Sequence, residues 1–394
     1  MSISAHDAAE QPTCIRPVMT KSDERMTHSH VSPGQAPDPA EAPTPGREGS
    51  AVLVSVIVNN YNYAKFLTDA IESALAQTHP RVEVVVVDDG STDSSREIIA
   101  GYGDRIVPVL KANGGQASAF NEGFAAARGE IVFFLDADDV LLPDAVERVV
   151  AAWRPGVSKV QFRLQLVDGE GKPINGMWPP RELSMPSGDL AKEIIERGEY
   201  LFSPTSGNAF SRGLLQAILP MPPEPWRLSA DVYLVYMAAF HGEVVSLDEA
   251  LAHYRMHGQN YWSYTRPDVA RLASQVKIDL QKQEIILEGA KRQSLPASPD
   301  LILNSPWHVY LRITLSLMDP RNELETHSLP HLAWKGLGAT WRDPHVTRSL
   351  KVATTLWLAL VPLAPRPVAR KLAEWRFYPA ERPALLRKLG GLVR

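Results

Sequence analysis

Three carboxylates, Asp136, Asp138 and Asp139, follow directly on the apolar run Val132, Phe133, Phe134 and Leu135. Acids this close repel one another unless a cation or hydrogen-bond donors compensate. Mg²⁺ and Mn²⁺ prefer oxygen ligands and often bridge to substrate phosphates. One reading is therefore a metal–diphosphate site at a strand end. The other is an acidic turn leading into a helix that starts near Pro143 and Asp144. More polar clusters stand elsewhere: Asn59 to Tyr63, Asp88 to Asp93, and Lys111 to Gln116.

These clusters need elements to position them. An apolar run over 52–58 predicts a strand, and Phe66, Leu67, Ala70, Ile71, Ala74 and Leu75 recur at helical spacing. Residues 82–87 and 106–110 read as two more strands, each followed by a helix. The unbroken run 132–135 suits a strand covered on both faces. Regular alternation of strand and helix predicts a doubly wound α/β sheet. Loops after neighbouring parallel strands converge on one edge, so the four clusters are expected to share a pocket. Beyond 153 the pattern changes. Residues 160–167 alternate like a half-exposed strand, 188–197 and 231–240 read as helices, and 244–247 returns as a strand. After about residue 264 the spacing is mostly helical, with amphipathic stretches at 276–288 and 305–318.

The totals set limits. The chain has 394 residues, a net charge of −4, 44% hydrophobic and 22% charged residues, and one cysteine, Cys14. That balance gives no case for nucleic-acid binding. One cysteine excludes an intrachain disulfide framework and fits a reducing compartment. No segment reads as a secretory signal, and no apolar run reaches the roughly 20 residues of a spanning helix. Residues 1–50, rich in Pro, Ala, Ser and acids, read as a disordered tail.

The ordered series SVIVNNYN, VVVVDDGSTD, NGGQASAFNEGF, FFLDADD and YRMHGQN resembles the family-2 glycosyltransferases. The resemblance covers about 52–260. It implies a GT-A nucleotide-diphospho-sugar transferase fold, Rossmann-like with a mostly parallel sheet. A catalytic domain over 51–264 would then carry a helical extension over 265–394. It implies inverting transfer from a nucleotide sugar, UDP-linked, to a glycan or lipid-linked acceptor in the cytoplasm, with Mg²⁺ or Mn²⁺ as cofactor.

The resemblance also assigns residues. Tyr61 is expected to stack on a uracil face, and Asn59, in the same loop, to bond base or ribose. Asp89 matches the position that accepts from the base, with Asp88 orienting the loop. Asn113 and Gly115 lie in a stretch whose glycines let backbone approach the nucleotide. Lys111 either balances the diphosphate or is a surface lysine. Asp136 corresponds to the ribose-side carboxylate of the D-x-D element and Asp138 to the metal ligand. Asp139 either hydrogen-bonds within the site or begins the next helix. The base that deprotonates the acceptor corresponds to Asp231, although Ala230 departs from the family's E-D pattern. Asp231 as a helix cap and Asp248 as a rival base remain open. Gly207 and Asn208 resemble the stretch that lines the acceptor pocket. His257 either ligates the metal or contacts the diphosphate, and Arg255 pairs with phosphate or with a carboxylate.

A non-catalytic nucleotide-sugar or glycan-binding module on the same fold is the alternative. It would keep Asp89 and the glycines but have no need of Asp136, Asp138 and Asp231. A dinucleotide oxidoreductase would want G-x-G-x-x-G after the first strand, which is absent. From Arg342 onward the chain is basic, with Arg366, Arg370, Lys371, Arg376, Arg382, Arg387, Lys388 and Arg394 interleaved with Trp357, Trp375, Phe377 and Leu385. Two readings stand: a helical bundle with a solvated basic face, or a peripheral contact with an anionic membrane.

Overall fold

The computed structural model describes residues 51–258, 268–344, 346–377 and 382. The expected N-terminal tail, Gln259, Asn260, Arg387, Lys388 and Arg394 lie outside the described residues.

The first half is three β–α steps and a fourth strand. In chain order they are β1 (Val54–Asn60), α1 (Ala64–Leu75), β2 (Val82–Asp88), α2 (Ser95–Ala100), β3 (Val107–Leu110), α3 (Gln116–Ala126) and β4 (Ile131–Asp136). All four strands run parallel, in the order β3-β2-β1-β4. Side chains of β1 alternate between two cores. Val54, Val56 and Val58 pack with Leu67, Ala70 and Ile71 of α1 on one face. Ile57 packs with Phe120 of α3 on the other. Both faces of β1, β2 and β4 are covered, which suits their mainly apolar runs, while the edge strand β3 is largely exposed. α3 lies so close that a Cβ at Gly123 would sit 2.5 Å from Ile57 Cγ2.

The second half turns the sheet mixed. It comprises β5 (Val140–Leu141), α4 (Ala145–Ala152), β6 (Val157–Val167), β7 (Pro173–Trp178), α5 (Ala191–Arg197), β8 (Asn208–Ser211), α6 (Arg212–Ile218), α7 (Ala230–Ala239) and β9 (Glu243–Arg255). β8 is antiparallel to both β4 and β6, while β9 runs parallel to β6. The two-residue β5 pairs antiparallel with β9, Val140 against His253 and Leu141 against Ala252. That short ladder carries the end of β9 to the turn after β4. β9 is one strand of 13 residues with register shifts against β6, where sequence periodicity suggests two shorter runs.

Among the described residues five helices follow: α8 (Val269–Arg292), α9 (Pro306–Met318), α10 (Leu329–Arg342), α11 (Arg348–Leu360) and α12 (Arg366–Phe377). They do not form a wholly separate body. Ile278, Ile285, Ile286 and Ala290 of α8 share a core with Leu234, Val235 and Phe240. A Cβ at Gly289 would lie 2.3 Å from the Phe240 ring. The outer helices have their own core around Val309, Leu311, Leu332 and Leu358.

Candidate functional site

The carboxyl ends of β1, β2 and β4 meet at one edge, and the polar clusters meet there too. Asn59 is not in the loop. It is a residue of β1 and pairs in register with Asp136 of β4. From there its Nδ2 donates to Asp136 Oδ1 at 2.8 Å and to the Leu135 carbonyl at 3.1 Å. Its side chain orients the carboxylate rather than projecting toward a base. Tyr61, in the loop, is 47% exposed, so its ring is available for stacking.

The four-residue turn from Asp136 to Asp139 divides three carboxylates among three environments. Asp138 accepts from or shares a proton with His257, Oδ2 to Nε2 at 2.9 Å. The His257 side chain is 4% exposed and stacks on Phe66, with ring centroids 4.9 Å apart. Asp139 is buried, accepting from Ser206 Oγ at 2.6 Å and from the Arg255 backbone N–H at 3.1 Å. It therefore fastens the turn to β9 and to the segment before β8. It does not begin the next helix. Burial, then the charges of Asp138 and Asp136, push the Asp139 carboxyl well above the usual carboxylate range. Asp136 is raised to about 7, by burial first and then by the Asp138 charge. Burial and the same acids also raise the Tyr63 phenol.

An oxygen and an imidazole nitrogen side by side are donor types that Mg²⁺ or Mn²⁺ accepts. Among the described residues no three His, Cys, Asp or Glu side chains gather as a metal site. Asp138 and His257 would thus be two ligands, with diphosphate oxygens and water for the rest. The uncompensated charge around Asp136 and Asp139 fits a cation in that place.

Asp231 is the second residue of α7 and Ser229 is its cap residue, so Asp231 is not the helix cap. Its Oδ1 accepts from the Val232 backbone N–H at 2.9 Å. Burial raises its carboxyl to about 6. Its charge contributes to the raised value of Asp136, which places the two in one electrostatic site. The residue that links them received no role from the sequence. Gln116, the first residue of α3, accepts from the Ala230 N–H at 3.0 Å through Oε1. Its Nε2 faces Asp136 Oδ1 at 3.4 Å and Thr205 Oγ1 at 3.5 Å. Its one visible signal was its position after Gly114 and Gly115 at a helix start. Ser206 was also missed as a bridge. Besides donating to Asp139, its Oγ accepts from the Asp136 N–H at 3.1 Å.

Several expected contacts are replaced by internal ones. The Asp89 carboxylate already accepts from Lys111 Nζ at 2.5 Å, Asn113 Nδ2 at 3.1 Å, Gly114 N–H at 2.9 Å and Gly115 N–H at 2.7 Å. It holds the 111–116 loop, and a base would compete with four donors. Lys111 is thus a carboxylate partner, neither a diphosphate contact nor a free surface lysine. Asn113 Nδ2 also bonds the Asp89 carbonyl, and Asn113 Oδ1 accepts from Arg227. Gly115, at φ +85°, gives room to Arg227 rather than to a nucleotide, since a Cβ would lie 2.7 Å from the Arg227 carbonyl oxygen. Asp88 does orient its loop, through Arg96 at 2.8 Å and the Ser91 N–H at 3.1 Å.

Gly207 and Asn208 face inward, contrary to an acceptor-lining role. A Cβ at Gly207 would meet Leu164 Cδ1 at 2.6 Å. Asn208 is 0% exposed and donates to the carbonyls of Ser203 at 2.8 Å and Pro204 at 2.7 Å. Both brace the segment that presents Thr205 and Ser206. Arg255 pairs with Asp69 at 2.8 Å and bonds the Asp138 carbonyl at 2.9 Å, so it steadies the acidic turn from behind. Asp248 is bound to Arg163 at 2.8 Å and its side chain is 77% exposed.

Residues 55–218 match the family model described as Glycosyl transferase family 2. An uncharacterized glycosyltransferase of Nostoc sp. is 46% identical over 213 residues, 52% of this chain and 66% of that protein. An uncharacterized glycosyltransferase of Rickettsia typhi is 43% identical over 98 residues, 25% of this chain and 31% of that protein. The chain thus spans less than two thirds of either relative. Among solved structures, S. aureus TarS 1–349 in complex with UDP-GlcNAc superposes with a TM-score of 0.52 at 18% identity. That likeness covers 82% of this chain and 91% of TarS 1–349, and it shows a shared GT-A fold.

Proposed function

From a chain that belongs to glycosyl transferase family 2, we infer an inverting transferase. It moves a sugar from a nucleotide donor, UDP-linked, to a hydroxyl of a glycan or lipid-linked acceptor. The observation that carries this reading is the acidic turn of Asp136 and Asp138, the latter paired with His257, with Gln116 linking Asp136 to the backbone at the start of α7 beside Asp231. A module that only binds has no use for a third carboxylate raised to about 6 beside two others.

The roles follow from position. Tyr61 covers the base, and Asp136, held by Asn59, sits on the ribose side. Asp138 and His257 would hold Mg²⁺ or Mn²⁺ beside the diphosphate. When bound, the cation supplies Lewis acidity toward the departing nucleotide. The acceptor oxygen attacks the anomeric carbon from the face opposite the leaving group. The new C–O bond forms as the bond to the diphosphate breaks, and the nucleotide diphosphate keeps that electron pair. The acceptor proton goes to the Asp231 carboxylate, whose value of about 6 leaves it ionised yet basic near neutrality. We place the chain in the cytoplasm, with an acceptor that is soluble or borne by the inner face of the membrane. Among the described residues no helix is long and apolar enough to cross one.

A donor screen that follows nucleotide release, with and without candidate acceptors, tests the activity. Release is expected to need Mg²⁺ or Mn²⁺ and to rise with the right acceptor. Asp138→Asn is expected to lose Mn²⁺-dependent UDP binding, and unchanged titration would remove Asp138 from the metal site. Tight nucleotide-sugar binding with no turnover on any acceptor would favour the binding module.

A further inference from the structure

The outermost helix of the C-terminal bundle exposes an apolar stripe. On α11, Val352, Leu356, Leu360 and the following Leu363 are 53%, 59%, 55% and 84% exposed. The first three, each four residues apart, lie on one face of α11, and Leu363 follows in the turn after it. The opposite face is packed, with Thr354 and Leu358 buried. Trp341 of α10, 53% exposed, lies alongside, its Nε1 donating to Thr355 Oγ1 at 3.0 Å. Trp334, one more exposed position on α10, is 74% exposed. Scattered surface leucines are ordinary, but a stripe of this length beside an exposed tryptophan is not.

Charge says what covers it. Over 346–366 the cations are Arg348, Lys351 and Arg366, and no acid is present. Arg348 stands at one end of the stripe and Arg366 just beyond the other, both exposed. Lys351 lies along its edge, donating to the Trp341 carbonyl at 2.9 Å. A second copy seated face to face would oppose two basic rims. An anionic surface neutralises them. The stripe is too short to span a bilayer, and among the described residues no helix is built to do so. An apolar face rimmed by Lys, Arg and Trp instead lies in the interface between headgroups and acyl chains.

We propose that the α11 face, with Trp341 alongside it, docks this protein flat on an anionic membrane leaflet. This goes beyond the transfer chemistry and does not depend on it. The contact is made by the folded bundle, through its apolar stripe, with the basic residues as its rim.

Flotation of the full chain with phosphatidylcholine vesicles, with or without phosphatidylglycerol, tests the idea. Binding is expected to the anionic vesicles only and to weaken with salt. Arg348→Gln is expected to lower partitioning about fivefold. The double variant Leu356→Glu with Leu360→Glu is expected to stay in solution. Both positions are exposed, so its melting curve and its nucleotide release with a soluble acceptor are expected to match the parent. Absence of binding to anionic vesicles by the parent chain, or equal binding by the double variant, overturns the proposal. A concentration-dependent dimer that the double variant loses, without vesicle binding by the parent, assigns the face to a second copy instead.

Discussion

At the level of single residues, the site keeps one chemistry apart from another by environment. Asp231 and Asp136 are both carboxyls, yet one is raised to about 6 and the other to about 7. Asp231→Asn is expected to cut kcat by roughly a hundred- to ten-thousandfold while leaving donor affinity near that of the parent. Isothermal titration with UDP beside a turnover assay separates the two. If Asp231 is the base, as we propose, it works only when ionised, and kcat in the parent is expected to fall as pH drops through about 6. Asp136 also has a price in stability. A carboxyl whose folded-state value is raised stabilises the fold when protonated, and that help is lost as pH rises through about 7. Asp136→Asn is therefore expected to raise the metal-free melting temperature at pH 8, by about 1 kcal/mol or more of unfolding free energy. The gain is expected to vanish near pH 4, where the parent carboxyl is protonated too. Melting curves at the two pH values check the difference.

At the level of elements, the loops matter more for each other than their residue types suggest. Asp89 gathers the 111–116 loop, and Gly115 lets that loop touch Arg227 ahead of α7. Gly115→Ala places a Cβ at φ +85° against the Arg227 backbone, and is expected to cost about 1–3 kcal/mol. Thermal melting reads the cost, and loss of transfer greater than loss of UDP binding would show that the α7 end has moved. The strand–helix rhythm of 52–136 was legible because both-face burial imposes unbroken apolar runs. The acidic turn was legible because three ionisable residues end such a run. The inward turn of Gly207 and Asn208 was not, since a small residue and an amide suit a buried brace as well as an open pocket. The resemblance set His257 and Asp138 at one metal, but the two-residue β5 that pairs with β9 and brings them together could not be read. Too short for any periodicity, β5 leaves no pattern to read. Gln116 was hidden for a related reason: its partners are 20, 89 and 114 positions away in sequence.

At the level of the whole molecule, the catalytic domain does not end where its motifs end. α8 closes the core beneath α7, with Gly289 pressed on Phe240. Gly289→Ala is expected to lower stability by about 1–3 kcal/mol through overpacking and to weaken transfer through α7, read by a denaturant titration beside turnover. The same continuity bears on the two sides of the active centre. Gln116 holds the Asp136 carboxylate, which we propose serves the donor, with one end of its amide, and with the other the backbone of α7, which we propose serves the acceptor. The two sides are therefore not interchangeable parts. A chimera that borrows a foreign helix in place of α7 inherits a working base only if its backbone N–H at 230 still falls within reach of that one glutamine.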